Sequence, residues 1–383
     1  MFKRYLGLIL LVGGLQALLG SVAMASPPVP GSGWEVFGTF NPTNLMPGGK
    51  GELNLYVYNT GELPSSPEGA TLTDTLPEAL EATPPAGCSG TKVVVCHLGE
   101  VQPIAEPARL HIPVSVASDA SEASSPVDLV SVSGGGASGP AEARVPVVFS
   151  TGEASLGFAN ADAWLTNANG LVDTQAGSHP YELTMVFAPN VHDIPPSQLS
   201  AELATGGEPH AIDVNLPPGL VGEPGAVPKC PREQFDAGNE DGEEGCPADT
   251  EIGEDYALVP GTFGHFVVFN LVPPPGVAAE FGFDFAGTHT FLDARVRSGG
   301  DYGITEHANV PQLGVRFNTV RIWGVPGEHP QNGSGSTRPF LSLPTSCGAP
   351  PVFSVEMLGT WQDPGAFAEA SFPWHNNRGV PVG

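Results

Sequence analysis

Leu53, Leu55 and Val57 alternate with Asn54, Tyr56 and Tyr58, the period-2 pattern of a strand with one face in a core. Asn59-Thr60-Gly61 ends that run. Ala70–Leu76 alternates again and stops at Pro77. Val93–Val95 lies between Cys88 and Cys96. Leu110, Ile112, Val114 and Val116 repeat the alternation, and Val127–Ser133 and Val145–Phe149 follow. About seven short strands with turn signals at this spacing predict a β-sandwich over residues 34–150. Beyond Thr151 the strand candidates are Tyr181–Phe187, Ala211–Leu216, Phe266–Leu271, Ala279–Phe285, Thr290–Val296 and Val315–Trp323, then Phe340–Leu343 and Phe353–Leu358. No stretch presents an i, i+3, i+4, i+7 apolar face, so no substantial helix is expected. Residues 151–383 form a second β-rich module, long for one sandwich and open at its C-terminal end.

Composition sharpens this. Among 383 residues, 50 Gly and 41 Pro disfavour a helical bundle, and without a G-X-Y period they disfavour collagen. Hydrophobic residues make up 40% and charged residues 14%, enough apolar surface for a packed core. A net charge of −27 argues against binding nucleic-acid backbone or anionic lipid.

The first residues read as an export signal: Lys3 and Arg4, an uncharged, largely apolar run Tyr5–Val22, then Ala23-Met24-Ala25 before Ser26. The rival is a membrane anchor, since the run approaches the length of a span. The small residues before Ser26 and the Pro-rich segment after it favour cleavage, giving a signal at residues 1–25 and a spacer at 26–33. No later segment is long and apolar enough to span a membrane, so none is expected in the mature chain. Leu343-Pro344-Thr345-Ser346 superficially matches a cell-wall sorting signal but lacks its glycine; it reads as a strand end and turn.

In an oxidising compartment disulfides are the default. Cys88–Cys96 and Cys230–Cys246 are the local pairings, and Cys347 is left unpaired. The alternative is five reduced, buried thiols. The two Cys pairs belong to an internal echo. Leu76-Pro77, Leu80, Pro85 and Cys88 follow one β run; Leu216-Pro217, Leu220, Pro224 and Cys230 follow another. Divergent copies of one plan produce this, and so does chance in a Pro-rich chain.

Asn41-Pro42, Gly48-Gly49, Asn59-Thr60-Gly61, the run Thr71-Leu72-Thr73-Asp74-Thr75-Leu76-Pro77-Glu78-Ala79-Leu80 and the Cys pair together resemble the DUF11-type repeat. The resemblance implies an Ig-like β-sandwich of exported bacterial surface proteins and covers about a third of the chain. It transfers no catalytic residue. Ala176-Gly177-Ser178-His179-Pro180-Tyr181, Leu216-Pro217-Pro218-Gly219-Leu220-Val221-Gly222, Cys246-Pro247-Ala248-Asp249-Thr250 and Asn270-Leu271-Val272-Pro273-Pro274-Pro275-Gly276 are similar to stretches of uncharacterised exported actinobacterial proteins, which implies a surface role and no assigned activity.

Candidate chemistry is sparse. There is no G-x-S-x-G; Gly333-Ser334-Gly335-Ser336 misses the spacing. There is no H-E-x-x-H and no C-x-x-C. Trp164, Trp323, Trp361 and Trp374 are candidate sugar platforms, with core anchoring the plainer role. Asp236, Asp241, Glu243 and Glu244, between Cys230 and Cys246, are weak calcium candidates, because the spacing is not D-x-D-x-D-G; a solvated acidic loop is the alternative. No other cofactor is expected. The sequence therefore predicts an all-β chain of tandem Ig-like sandwiches behind a signal peptide. The expected role is a non-enzymatic cell-envelope protein, structural or adhesive, with cell-wall or surface components as partners. The alternatives are a carbohydrate-binding module of a larger secreted or surface protein, and an enzyme with an unfamiliar site in residues 151–383.

Overall fold

The computed structural model describes residues 33–61, 63–103, 107–137, 139–192, 205–238, 245–259, 262–285, 287–329, 335–348 and 351–375. The expected signal at 1–25 and nearly all of the spacer lie outside these residues. The chain is all-β.

The first eleven strands are β1 (Trp34–Asn41), β2 (Asn44–Leu45), β3 (Lys50–Asn59), β4 (Ala70–Thr75), β5 (Leu80–Ala82), β6 (Cys88–Ser89), β7 (Val93–His97), β8 (Ala108–Val116), β9 (Val127–Gly134), β10 (Ala141–Pro146) and β11 (Val148–Phe149). A four-stranded sheet β1-β3-β8-β5 faces a five-stranded sheet β10-β9-β4-β7-β6. Leu53, Leu55 and Val57 of β3 are fully buried between them with Leu72, Val94, Ile112 and Val132, as their alternation requires. The run expected over Val145–Phe149 is split at Val147. Its first part pairs with β9, and its last two residues pair in parallel with β2. Asn59 explains the Asn59-Thr60-Gly61 punctuation. Its buried side chain accepts from the backbone N–H of Gly33 and Gly61, and donates to the carbonyls of Leu63 and Val101. One amide thereby closes two loops.

The remaining strands are β12 (Phe158–Thr166), β13 (Glu182–Pro189), β14 (Ala211–Asn215), β15 (Val221–Gly222), β16 (Glu251–Val259), β17 (Thr262–Leu271), β18 (Ala279–Phe285), β19 (Thr288–Val296), β20 (Ile304–Asn309), β21 (Phe317–Trp323), β22 (Leu341–Ser342), β23 (Val352–Leu358) and β24 (Phe367–Pro373). Eleven of them form one antiparallel sheet, β12-β13-β21-β16-β17-β18-β19-β20-β14-β23-β24. The sheet folds over until its two edge strands, β12 and β24, lie against each other. Leu165, Leu183, Ile252, Phe281, Leu292, Ile322 and Phe353 meet in the core between its two layers. Sheets this wide curl or split rather than stay open, because twist accumulates from strand to strand. A single-turn helix, α1 (Arg232–Phe235), seats Phe235 against Phe269 and Leu271.

The internal echo is visible in the backbone. Leu80 N–H bonds Pro77 O at 2.9 Å, and Leu220 N–H bonds Pro217 O at 3.1 Å. All four leucines of the two Leu-Pro-x-x-Leu turns are buried. The copies then part: Cys88 and Cys96 face each other across the β6–β7 hairpin, whereas Cys230–Cys246 encloses α1.

Candidate functional site

The site grows from faces of strands that the alternation pattern left unassigned. In β1 and β3 the residues between core positions, Glu35, Phe37, Tyr56 and Tyr58, point away from the first core. In β13, β16 and β21, Val186, Tyr256, Leu258 and Phe317 point away from the second. These two outer faces pack on each other. Phe37 stacks on Phe317 with ring centroids 4.2 Å apart, and Tyr58 meets Tyr256 edge-on at 5.9 Å.

An ionic cluster sits within this aromatic contact. Arg321 pairs with Glu35 across the junction and lies 3.7 Å from Glu182. Its guanidinium is 5.3 Å from the Tyr256 ring. Burial pushes Arg321 down to about 10 and, with Glu254 nearby, raises Glu182 to about 7. Burial also works against the charge on Glu254. His265 and the Tyr256 hydroxyl, which donates at 2.9 Å, outweigh it and hold Glu254 below its ordinary value. His265 is 3.4 Å from Glu254, an ion-pair contact rather than a tight hydrogen bond. Charges buried this deeply require partners, and Glu35 reaches its partner only when the two modules are together.

Beside this contact the modules leave a cleft of about 1160 Å³. Its walls are β1 from Glu35 to Gly38, Glu142 and Arg144 of β10, and Asn160, Asp162, Trp164 and Thr166 of β12. Asn160 Nδ2 donates to Arg144 O at 3.1 Å, tying the two sides of the cleft together. Asp162 is held by His375. Trp164 is half-buried, whereas Trp34 is buried and anchored by its indole N–H on Gly134 O. Among the described residues no serine or cysteine lines the cleft. The arrangement offers an aromatic surface, a cation and several amide and carboxylate groups, a lining suited to holding a polar ligand.

The cysteines stand as the spacing predicts: Cys88–Cys96 and Cys230–Cys246 are bonded, and Cys347 is an exposed free thiol. Of the calcium candidates, Asp236 pairs with His289 at 3.2 Å, while Asp241, Glu243 and Glu244 lie outside the described residues. Among the described residues no three potential ligands cluster as a metal site. Trp323 and Trp374 are core anchors. Trp361 is 43% exposed, with its indole N–H on Val310 O. Leu343-Pro344 is a docked turn, with Leu343 N–H on Ser178 O and Gly177 N–H on Pro344 O.

Sequence reading missed Glu35, Phe37, Glu182 and Arg321, because their partners lie more than a hundred residues away. The available signal was that Glu35 and Phe37 share the face opposite Trp34 and Val36. No described helix is long and apolar enough to cross a membrane.

No protein-family model matches the chain, and no curated protein matches it in sequence. Among solved structures it is similar to the Enterococcus faecalis protein ACE, described as binding its ligands by a collagen hug (9% identity, 90% of this chain and 95% of that one, TM-score 0.23). It is also similar to the collagen adhesin of S. aureus (7%, 91% and 94%, TM-score 0.22) and to a B domain of a biofilm-associated protein (8%, 91% and 82%, TM-score 0.30). TM-scores of this size do not establish a common fold.

Proposed function

We propose that this is an exported, non-catalytic protein of the cell envelope with a structural or adhesive role, and that its ligand sits in the cleft between the modules. The observation that carries this reading is the junction itself. A stacked Phe37–Phe317 pair and the buried Glu35–Arg321 pair fix the modules at one angle, and the space they leave open is walled by both. Clefts at domain interfaces are preferred ligand sites, and a fixed angle spares the ordering cost of binding. Export is supported by the Lys3-Arg4 leader pattern and by two disulfides, which persist in oxidising compartments. The Asn59-Thr60-Gly61 and Thr73-Asp74-Thr75-Leu76-Pro77 pattern supports reading the first module as a DUF11-type unit. The actinobacterial origin rests on the second module's sequence stretches alone.

Trp164 favours a carbohydrate-binding reading within this proposal, because a half-exposed indole among amides and carboxylates suits a sugar face. The test is retention on insoluble cell-wall polysaccharide. Wild type should be retained, and Trp164→Ala and Arg144→Ala should each weaken retention about tenfold while leaving the melting temperature nearly unchanged. Equal retention of all three proteins would remove the cleft from the account.

A further inference from the structure

Between the two layers of the folded-over sheet in the second module lies a cavity of about 80 Å³. Val214, Phe283, Leu292, Ala308, Val355 and Phe372 contribute to its walls from six strands. One acidic side chain among them is unexplained. Glu306 on β20 sits opposite Val214 and Ala294 in the sheet, is 8% exposed, and lines the cavity. No described residue gives its carboxyl a hydrogen bond or an opposite charge, and burial alone raises it to about 7.

The other polar groups at the wall are largely engaged. Asp162 is held by His375, and the Asn318 amide donates to Asp255 at 2.7 Å. That leaves the Thr290 hydroxyl, which is buried. Water in a cavity is stable with two to four polar partners; Glu306 and Thr290 supply the bare minimum, and apart from the engaged Asp162 and Asn318 the rest of the wall is apolar. A protonated carboxyl in an apolar enclosure is a hydrogen-bond donor in search of an acceptor. Asp162 and Val186 line both this cavity and the cleft between the modules, so a single strand layer separates the two spaces.

We infer that the cavity binds a small, neutral, apolar molecule with one carbonyl or ether oxygen, which accepts a hydrogen bond from Glu306. The volume limits the guest to about five or six non-hydrogen atoms. The site is separate from the cleft and stands or falls independently of it.

The probes are cyclopentanone and cyclopentane, titrated into the full chain while the methyl resonances of Val214, Leu292 and Ala308 are followed by NMR. Saturable shifts with cyclopentanone at millimolar concentration are expected. Glu306→Gln, whose amide also donates, should keep binding, whereas Glu306→Leu should weaken the ketone about tenfold and spare cyclopentane. A crystal grown with cyclopentanone gives a readout that needs no variant: the ketone oxygen should lie within hydrogen-bond distance of Glu306. Equal ketone affinity in Glu306→Leu, absence of saturable shifts, or a cavity filled by ordered water in that crystal would overturn the inference.

Discussion

The two modules solve the same burial problem with different materials. The first encloses its core between two sheets, lined mainly by Leu, Val, Ile and Phe, with the Asp74–Asp128 pair as its buried acids and Asn59 and Ser65 buried where they tie loops. The second wraps a single sheet around its core and buries acids along the way: Glu254, Asp255, Glu280 and Glu306. The difference teaches where each module gets its order. The first is specified by alternation. The second depends on pairings between residues far apart in sequence, such as Asn318 of β21 with Asp255 of β16 and Arg232 of α1 with Glu280 of β18, and on the first module for the partner of Arg321.

The largest expected effect comes from breaking the contact between the two. Phe317→Ala removes the ring stacked on Phe37 from a fully packed interface and should cost about 3–5 kcal/mol in denaturant unfolding. A loss under 1 kcal/mol would mean that the modules hardly support one another. Arg321→Met leaves Glu35 and Glu182 buried without their cation and should cost about 3 kcal/mol. Glu35→Gln, which leaves Arg321 its second carboxylate, should cost clearly less.

The disulfides sharpen the comparison further. They close loops of 8 and 16 residues, so replacing each pair with alanines should cost about 2.5 and about 3 kcal/mol respectively in the chain-entropy model. Equal plans with unequal loops predict that order; the reverse order would show that the staple around α1 constrains little beyond what Phe235 packing already holds.

Buried acids predict a pH dependence. Burial and mutual repulsion hold at least one member of the Asp74–Asp128 pair protonated well above the carboxylate range. A folded-state pKa above the unfolded value means stability is complete below the unfolded value and falls as pH rises through the folded one. Unfolding free energy should therefore decline from about pH 4 upward, at up to roughly 1.4 kcal/mol per unit for each such group. Asp128→Asn, which keeps a donor for Asp74, should flatten the first module's share by about 1–2 kcal/mol between pH 5 and 8. An unchanged slope would put the dependence in Glu182, Asp255 and Glu306 instead, which burial raises to about 7.

The same contrast explains what the sequence disclosed. Strands β3, β4, β7, β8 and β9, and in the second module β13, β14, β18, β19, β21 and β23, follow hydrophobic runs and were legible. The strands missed there include β12, β16 and β20, which carry Asp162, Glu254, Asp255 and Glu306, and β24, whose alternate residues Phe367, Glu369 and Ser371 face solvent rather than a core. In the first three an acid interrupts a short apolar run, and only the folded structure shows that a distant partner or an apolar enclosure takes it in. Both disulfides were legible because each pair is local. The cleft was not, since its walls come from β1, β10 and β12. The shared Leu-Pro-x-x-Leu turn was visible in sequence, yet its two copies differ inside: Gly219 takes a positive φ of 89° after Pro218, the signature of a type II turn, where the first copy has Glu78-Ala79.

The central claim is that the buried aromatic and ionic contact makes the two modules one unit and thereby forms the cleft. Scanning calorimetry tests it most directly. Wild type should unfold in a single transition whose calorimetric and van't Hoff enthalpies agree, and Phe317→Ala combined with Arg321→Met should split it into two. Two independent transitions in the wild type would contradict the account.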